Sequence, residues 1–279
     1  VGRELGHGDH WEAFFGSWSI RMADVIPRLC VKSRIRAEFS PPWPGSDFPS
    51  IVRLGRTRHR LIDLAVLLGV LPAEKRSVFL SAYAILMETR TWMLRVEKIS
   101  SDYGPFEGVV DMKAVNGALL RAFDPRFGEN RDRWLCRQKS AVALAGLALR
   151  LGPFAAEPIK VESGPLLDWE RESLRAEGKT QEAAALDHVM VFTCGLRTLY
   201  CGKNDHAAFV GCVQRIREIP AYDPLPAGWL LDIETVPDDG QPAEERVLPV
   251  YAFAPALGDY RPQTGDLVQG TVWLQATPA

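Results

Sequence analysis

Residues 265–275 read GDLVQGTVWLQ, and this stretch has the composition and turn signals of a β-strand. Gly270 inside it indicates a bulge or a close contact between two backbones. Two preceding runs, 229–233 and 246–254, also have strand character and are bounded by prolines and glycines. Because three strands rarely hold together alone, we predict that residues 220–279 form a small β-rich segment packed on the helices before it.

The chain before residue 220 shows apolar patterns of helical period. Residues 72–96 place apolar side chains on one helix face at spacings of three and four residues. These side chains are Phe79, Ala82, Tyr83, Leu86 and Met93. The apolar run 141–149 is much shorter than the roughly 20 residues that span a bilayer, and it is assigned to a buried helix. Further helices are predicted after Ser163 and from Thr180 to about Tyr200.

These patterns predict a mainly α fold, with a helical core of about six to seven helices and a small β-rich C-terminal segment, α+β overall. Composition divides the chain into four segments. Residues 1–57 form an irregular N-terminal arm, because three clustered prolines forbid regular structure there. Residues 58–152 form a basic helical half, residues 153–219 an acidic helical half, and residues 220–279 the β-rich segment.

The two halves of the sequence carry opposite charge. Residues 1–150 hold 23 Lys and Arg against 16 Asp and Glu, whereas residues 151–279 hold 10 against 19. The net charge of the whole chain is only −2. Such asymmetry is expected where each half uses its surface differently or where one half faces the other. The leading prediction is a non-catalytic cytoplasmic binding or regulatory protein, or a complex subunit, that recognises a macromolecular partner through oppositely charged faces.

A dense basic run gives an alternative prediction, the binding of nucleic acid or phosphate. Arginine forks suit phosphate groups, and a cationic patch binds nucleic acid by releasing counterions. The predicted basic patch comprises Lys32, Arg34, Arg36, Arg53, Arg56, Arg58 and Arg60. The sequence pI of about 6.3 argues against a dedicated nucleic-acid binder, so a protein partner is favoured over nucleic acid.

A compact group of metal-ligand residue types lies near the N-terminus and gives a second alternative. His7, Asp9, His10 and Glu12 form the pattern His-x-Asp-His-x-Glu, whose side chains suit a divalent metal ion. The pattern resembles part of the His-x-His-x-Asp-His signature of metallo-hydrolases, but it lacks the first histidine. The alternative is therefore a metal-dependent hydrolase that uses His7, His10 and a distant acid.

Two other patterns are weaker. Asp232-Ile233-Glu234 resembles the first metal-binding motif of the DEDD-type exonucleases, but only 44 residues follow Thr235 and they contain few acids. We therefore expect a polar strand end there. A set of possible zinc ligands is predicted not to form a site, because it lacks a Cys-x-x-Cys pair. This set is Cys194, Cys201, His206 and Cys212.

Motif-defined enzyme classes are mostly excluded. The sequence contains no P-loop, no Gly-x-Ser-x-Gly elbow and no convincing dinucleotide-binding fingerprint. We therefore predict no cofactor, and the prediction leans away from an enzyme. The five cysteines are odd in number and sparse, which favours a reducing cytoplasmic compartment, and no membrane partner is expected.

Overall fold

The fold is mostly β, and the predicted helical core is wrong. The computed structural model describes residues 8–16, 19–41, 47–55, 60–101, 106–114, 119–135, 140–154, 158–192, 198–201, 205–235 and 247–279. Strands hold 55% of these residues and helices hold 23%. None of the helices in this part of the chain has the length and apolar character needed to cross a membrane.

Fifteen strands and six helices lie in the described ranges. The strands are β1 (Arg34–Phe39), β2 (Ser50–Gly55), β3 (Ile62–Leu71), β4 (Arg76–Leu86), β5 (Arg90–Ser100), β6 (Gly108–Lys113), β7 (Leu119–Asp124), β8 (Ser140–Pro153), β9 (Pro158–Val161), β10 (Val189–Phe192), β11 (Thr198–Cys201), β12 (His206–Ile219), β13 (Gly228–Glu234), β14 (Val247–Phe253) and β15 (Leu267–Pro278). The helices are α1 (Gly8–Phe15), α2 (Ser19–Lys32), α3 (Phe127–Leu135), α4 (Pro165–Ala176), α5 (Thr180–Ala185) and α6 (Ala254–Leu257).

The chain divides into two compact units, one of Val1–Pro153 with Arg197–Ala279 and one of Phe154–Leu196. The smaller unit contains the antiparallel pair β9 and β10, with α4 and α5 between them in the chain. Its first helix agrees with the one predicted after residue 163. The helix predicted from Thr180 ends at Ala185 and is followed by β10, so the predicted long helix is wrong.

The main sheet of the larger unit is built around the long antiparallel pair of β8 and β15. On one side, β14 pairs with β8 and β12 pairs with β15, and β13 joins β12 to β14. On the other side, β5 pairs with β8 and β7 pairs with β15, and β6 joins β5 to β7. The pairings therefore close two five-stranded rings that share β8 and β15.

A second sheet, in the order β1-β2-β3-β4, belongs to the same unit. One apolar cluster draws residues from the strands of both rings, including Trp92, Val142 and Val272. Another joins the four-stranded sheet and helices α1 and α2 to β8, β14 and β15, through residues such as Leu64 and Trp273. The β8–β15 pair thus has an apolar core on each face.

Burial on both faces explains why strands were predicted as helices. In β8, Val142 and Leu144 belong to one core, whereas Ala145 and Leu147 belong to the other. A strand buried on both faces is a continuous apolar run, and such a run cannot be distinguished from a buried helix by periodicity. The same holds for β4, whose residues 81–86 are all buried.

The two halves of the sequence do not form separate bodies. Strand β8 comes from the basic half, and it pairs with β14 and β15 from the acidic half. The smaller unit, residues 154–196, contains 4 Lys and Arg against 8 Asp and Glu. The larger unit contains the remaining 29 Lys and Arg against 27 Asp and Glu, so the basic and the acidic half of the sequence are largely combined in one nearly neutral body.

Candidate metal centre

Helix α1 places His10 in the interior of the larger unit. His10, Trp11 and Phe14 are buried, at spacings that match one helix face. The indole N–H of Trp11 donates a hydrogen bond of 3.0 Å to the carbonyl oxygen of Ala82. The ring of Phe14 lies 4.7 Å from that of Phe253, centroid to centroid. These contacts attach α1 to β4 and to β14, and they hold His10 on the inner face of the helix.

The start of β12 supplies two more polar side chains. Asp205 immediately precedes the strand, and His206 is its first residue. The carbonyl oxygen of Asp205 accepts a hydrogen bond of 2.8 Å from the backbone N–H of Leu274, which continues the ladder between β12 and β15. The position of Asp205 is therefore fixed by main-chain pairing.

Trp273 of β15 contacts both Asp205 and His10. Its indole N–H donates to Asp205 Oδ2 at 2.5 Å. Its ring stacks on the His10 imidazole, with centroids 3.9 Å apart and planes 12° from parallel. One side chain therefore orients both the carboxylate and the first imidazole. Side chains that bind a metal ion are commonly held in place by a hydrogen bond of this kind from a neighbouring group.

Two imidazoles and one carboxylate converge at this point. The Nε2 atoms of His10 and His206 lie 3.0 Å apart. One ligand atom from each of His10, Asp205 and His206 lies within 4.8 Å of the other two. Two nitrogens bound to one ion with bonds of about 2.1 Å would be about 3.0 Å apart at right angles and about 3.4 Å apart in a tetrahedral site. The observed spacing equals the right-angle value and is also that of a hydrogen bond between the two rings, so a small separation of the rings would admit a tetrahedral ion.

The donor set determines which ions fit. Neutral imidazole and carboxylate suit Zn²⁺, Mn²⁺, Fe²⁺ and related ions. With an ion bound, both Nε2 atoms offer lone pairs, so each ring carries its proton on Nδ1. Without an ion, one Nε2–H donates to the other ring. His10 and Asp205 are buried, whereas His206 is half-buried and faces the outer edge of the cluster.

The geometry is the whole basis for assigning this centre. No protein-family model, no curated protein and no solved structure matches the chain.

The structure brings one of the two predicted metal ligands into the cluster. His10 is there, whereas His7 lies outside the described residues. The distant acid of the prediction corresponds to Asp205, and His206 was not predicted to join it. Because residues 153–219 are predicted as helical, the sequence does not predict the start of β12, where Asp205 and His206 are adjacent. No local signal joins residues that are 196 positions apart in the sequence, as His10 and His206 are.

The predicted basic patch is divided. Lys32, Arg34, Arg36 and Arg60 are exposed, and Arg56 and Arg58 lie outside the described residues. Arg53 is buried, and its Nε donates to Glu129 Oε1 of α3 at 2.7 Å. Arg53 therefore links β2 to α3 and is not part of an exposed surface.

The acidic pair on β13 is engaged by the neighbouring strands. Asp232 Oδ2 accepts hydrogen bonds from Arg90 at 3.3 Å and from Arg215 at 3.0 Å. Glu234 accepts a hydrogen bond of 2.7 Å from Gln214. The two acids are thus paired with basic and amide groups, as is consistent with a polar strand end.

The possible zinc set is dispersed in the residues that can be described. Cys212 lies six residues from His206 on the same strand, a separation of about 20 Å at the rise of a β-strand. Cys194 and the side chain of Cys201 lie outside the described part. The metal-ligand partner of His206 is His10, from a different element.

Proposed function

We propose that the protein is a divalent-metal-dependent hydrolase whose centre is formed by His10, Asp205 and His206. The observation that supports it is the convergence of two imidazole nitrogens and one carboxylate oxygen within 4.8 Å. This proposal keeps the predicted hydrolase and revises its ligands, since the acid comes from the start of β12.

Three protein ligands favour a catalytic site over a structural one. Structural zinc sites are generally closed by four protein ligands, whereas catalytic sites leave a position open. In the described residues the cluster contains three ligands, and its outer member, His206, is half-buried. Water and substrate could therefore approach from the side of His206.

The chemistry follows from the ligand set. A divalent ion there would polarise an acyl or phosphoryl oxygen and would activate a water molecule as the nucleophile. In hydrolysis the water oxygen bonds to the acyl carbon or to phosphorus, the bond to the leaving group breaks, and the leaving group takes a proton. Trp273 holds the Asp205 carboxylate during this reaction through its indole N–H.

Metal binding by the full-length protein is the primary test. We expect about one equivalent of Zn²⁺ or Mn²⁺ in equilibrium dialysis of the wild-type protein. Asp205→Asn removes a negative ligand at nearly constant volume, and His206→Ala removes the outer imidazole. Each is expected to weaken metal affinity by more than about tenfold. The matched control is His188→Ala, because His188 is a histidine of the smaller unit that bonds to Asp187.

A finer variant tests the arrangement of the cluster. Trp273→Phe keeps an aromatic ring near His10 and removes the indole N–H that donates to Asp205, together with part of the ring volume. Loss of such a hydrogen bond to a metal ligand is expected to weaken metal binding about 10- to 100-fold. Wild-type metal affinity in both Asp205→Asn and His206→Ala would refute the metal centre.

Hydrolysis is then assayed with chromogenic esters. Metal-loaded wild-type protein is compared with Asp205→Asn on p-nitrophenyl acetate, p-nitrophenyl phosphate and bis-p-nitrophenyl phosphate. Hydrolysis of at least one ester that is lost in Asp205→Asn supports the proposal. A metal-loaded protein that hydrolyses none of the three would contradict the assignment as a hydrolase and leave a metal-binding protein.

A second candidate function is binding of an acidic macromolecular partner at edge strand β1. Arg34 and Arg36 project from this edge strand and are exposed, and Lys32 lies just before it. Such a surface would give association that weakens with salt. Pulldown from 0.05 M and 0.5 M salt, with wild type and the double variant Arg34→Gln/Arg36→Gln, tests it. Retention that changes neither with the salt concentration nor with the double substitution would argue against this function.

A further inference from the structure

A groove of about 970 Å³ lies in the larger unit. It is lined by residues of β8, β12 and β15 and by α6. Helix α1, which carries His10, also packs on this wall, because Gly16 at its end approaches Pro255. The groove and the metal centre therefore share strands β12 and β15 of the larger unit.

The strand register places part of the groove lining on the face of the sheet that carries His206 and Trp273. His206 is opposite Trp273, and Ala208 is opposite Thr271, in the pairing of β12 with β15. Side chains directly opposite each other in an antiparallel pair lie on the same face, and so do side chains two positions apart. Ala208 and Thr271 line the groove. The groove thus begins one row, or about 7 Å, from the row of His206.

The same row contains the one charged residue among the described groove-lining residues. Arg150 of β8 is opposite Thr271 on the other edge of β15. Its side chain is exposed, and within the described ranges no carboxylate or other group forms a hydrogen bond or an ion pair with it. An arginine left without a counter-ion in a groove is suited to an anionic ligand, and its planar fork fits two oxygens of a phosphate.

The rest of the lining adds apolar walls and three uncharged polar side chains, of which Tyr260 donates its hydroxyl to Asp266. Pro255, Leu257 and Val210 supply apolar surface, whereas Gln269 and Thr271 supply hydrogen-bonding groups on the Arg150 side. A ligand that matches this lining has an apolar body and one anionic end. The anionic end would lie between the guanidinium of Arg150 and the metal centre.

We propose that the groove binds an organic phosphate, with its phosphoryl group held by Arg150 and its apolar body along α6. This inference rests on the proposed function, because it assigns phosphate esters as the substrate class of that metal centre. A divalent ion, the Asp205 carboxylate and the Arg150 guanidinium together carry a charge of +2, which balances the two negative charges of a phosphate monoester. A ligand with a single carboxylate would balance only one of them. Hydrolysis would transfer the phosphoryl group to water and release the alcohol with a proton.

Binding of phenylphosphonate tests the groove without hydrolysis, because its carbon–phosphorus bond is not cleaved by water. Isothermal titration into the full-length, metal-loaded protein should show binding that Arg150→Gln weakens at least tenfold. Arg150→Lys keeps the charge but not the fork, and it should give an intermediate affinity. Arg34→Gln is the matched control, because Arg34 is an exposed arginine on β1.

The outcomes separate this inference from the metal centre. Equal affinities of wild type and Arg150→Gln for phenylphosphonate, or no binding to wild type, would overturn the groove assignment while metal content stays normal. Equal affinity for benzoate and phenylphosphonate would overturn the choice of phosphate. Loss of metal in Asp205→Asn together with weakened, still Arg150-dependent phosphonate binding would support both features as parts of one site. Phosphonate binding through Arg150 in a wild-type protein that holds no metal would support the groove and contradict the metal centre.

Discussion

At the scale of single residues, Asp124 is a carboxyl group placed where charge is costly. It is fully buried, and it accepts hydrogen bonds from the Trp134 indole at 2.6 Å and from the backbone N–H of Arg126 at 2.8 Å. The side-chain amide of Asn130 donates to both of its oxygens. Burial outweighs these hydrogen bonds and raises the pKa of Asp124 to about 6.

This pKa shift predicts a specific pH dependence of stability. Because the pKa is higher in the folded than in the unfolded state, protonation of Asp124 favours folding. Its contribution is complete below about pH 4 and is lost as the pH rises through about 6. Over the whole titration, from well below pH 4 to well above pH 6, it changes the free energy of unfolding by about 3 kcal/mol.

The free energy of unfolding is measured in urea at pH 4, 5, 6 and 7 for the wild type and for Asp124→Asn. The substitution lowers stability at every pH, since an amide cannot accept all the donors around it. The expected signal is the difference between the two proteins, which should shrink by about 2 kcal/mol from pH 4 to pH 7. A difference that stays constant over this range would contradict the assignment.

At the scale of elements, the sequence predicts a strand most reliably where prolines, glycines and other turn residues bound it at both ends. The three predicted β runs are confirmed as β13, β14 and β15. The close contact predicted at Gly270 is also present, since a Cβ there would lie 2.3 Å from the carbonyl oxygen of Arg150. Strands β4 and β8 were misassigned because both of their faces are buried, which removes the alternation on which strand prediction depends.

Substitution of Gly270 tests this packing at the β8–β15 pair. Gly270→Ala would place a methyl group against the backbone of β8, which cannot withdraw without disturbing the ladder. We expect a loss of about 2 kcal/mol in the free energy of unfolding, measured in urea. Gly152→Ala is the control on the same pair, because nothing lies within 4 Å of a Cβ at Gly152. Equal stability of the two variants would show that the contact at Gly270 relaxes freely.

At the scale of the whole molecule, the candidate site depends on topology more than on sequence. The N-terminal pattern indicated His10 as a metal ligand, and the residue types alone justify that. Asp205 and His206 join it only because β12 pairs with β15 and α1 packs over Trp273. The difference in charge between the two halves of the sequence also does not predict how the chain is divided in space, because strands from both halves lie in one sheet.

A ligand that binds elements from both ends of the chain should stabilise the larger unit as a whole. We expect Zn²⁺ or Mn²⁺ at 100 times its dissociation constant to add about 2.7 kcal/mol to the free energy of unfolding. Thermal unfolding of wild type should therefore shift upwards with metal concentration. Asp205→Asn, which is expected to bind the metal more than about tenfold more weakly, should gain no more than about 1.4 kcal/mol at the same metal concentration. A shift of equal size in that variant would place the ion elsewhere.

The shared strands also set the order in which this protein can be made. Both rings need β15, so neither can close on the ribosome until residues 267–278 have emerged. Strand β8 comes more than 100 residues earlier in translation. Until β15 emerges, β8 lacks this partner strand, and its apolar side chains remain exposed. Contacts so distant in sequence slow folding and leave edges open to aggregation. Production of this protein should therefore depend on chaperones that bind extended apolar segments during synthesis.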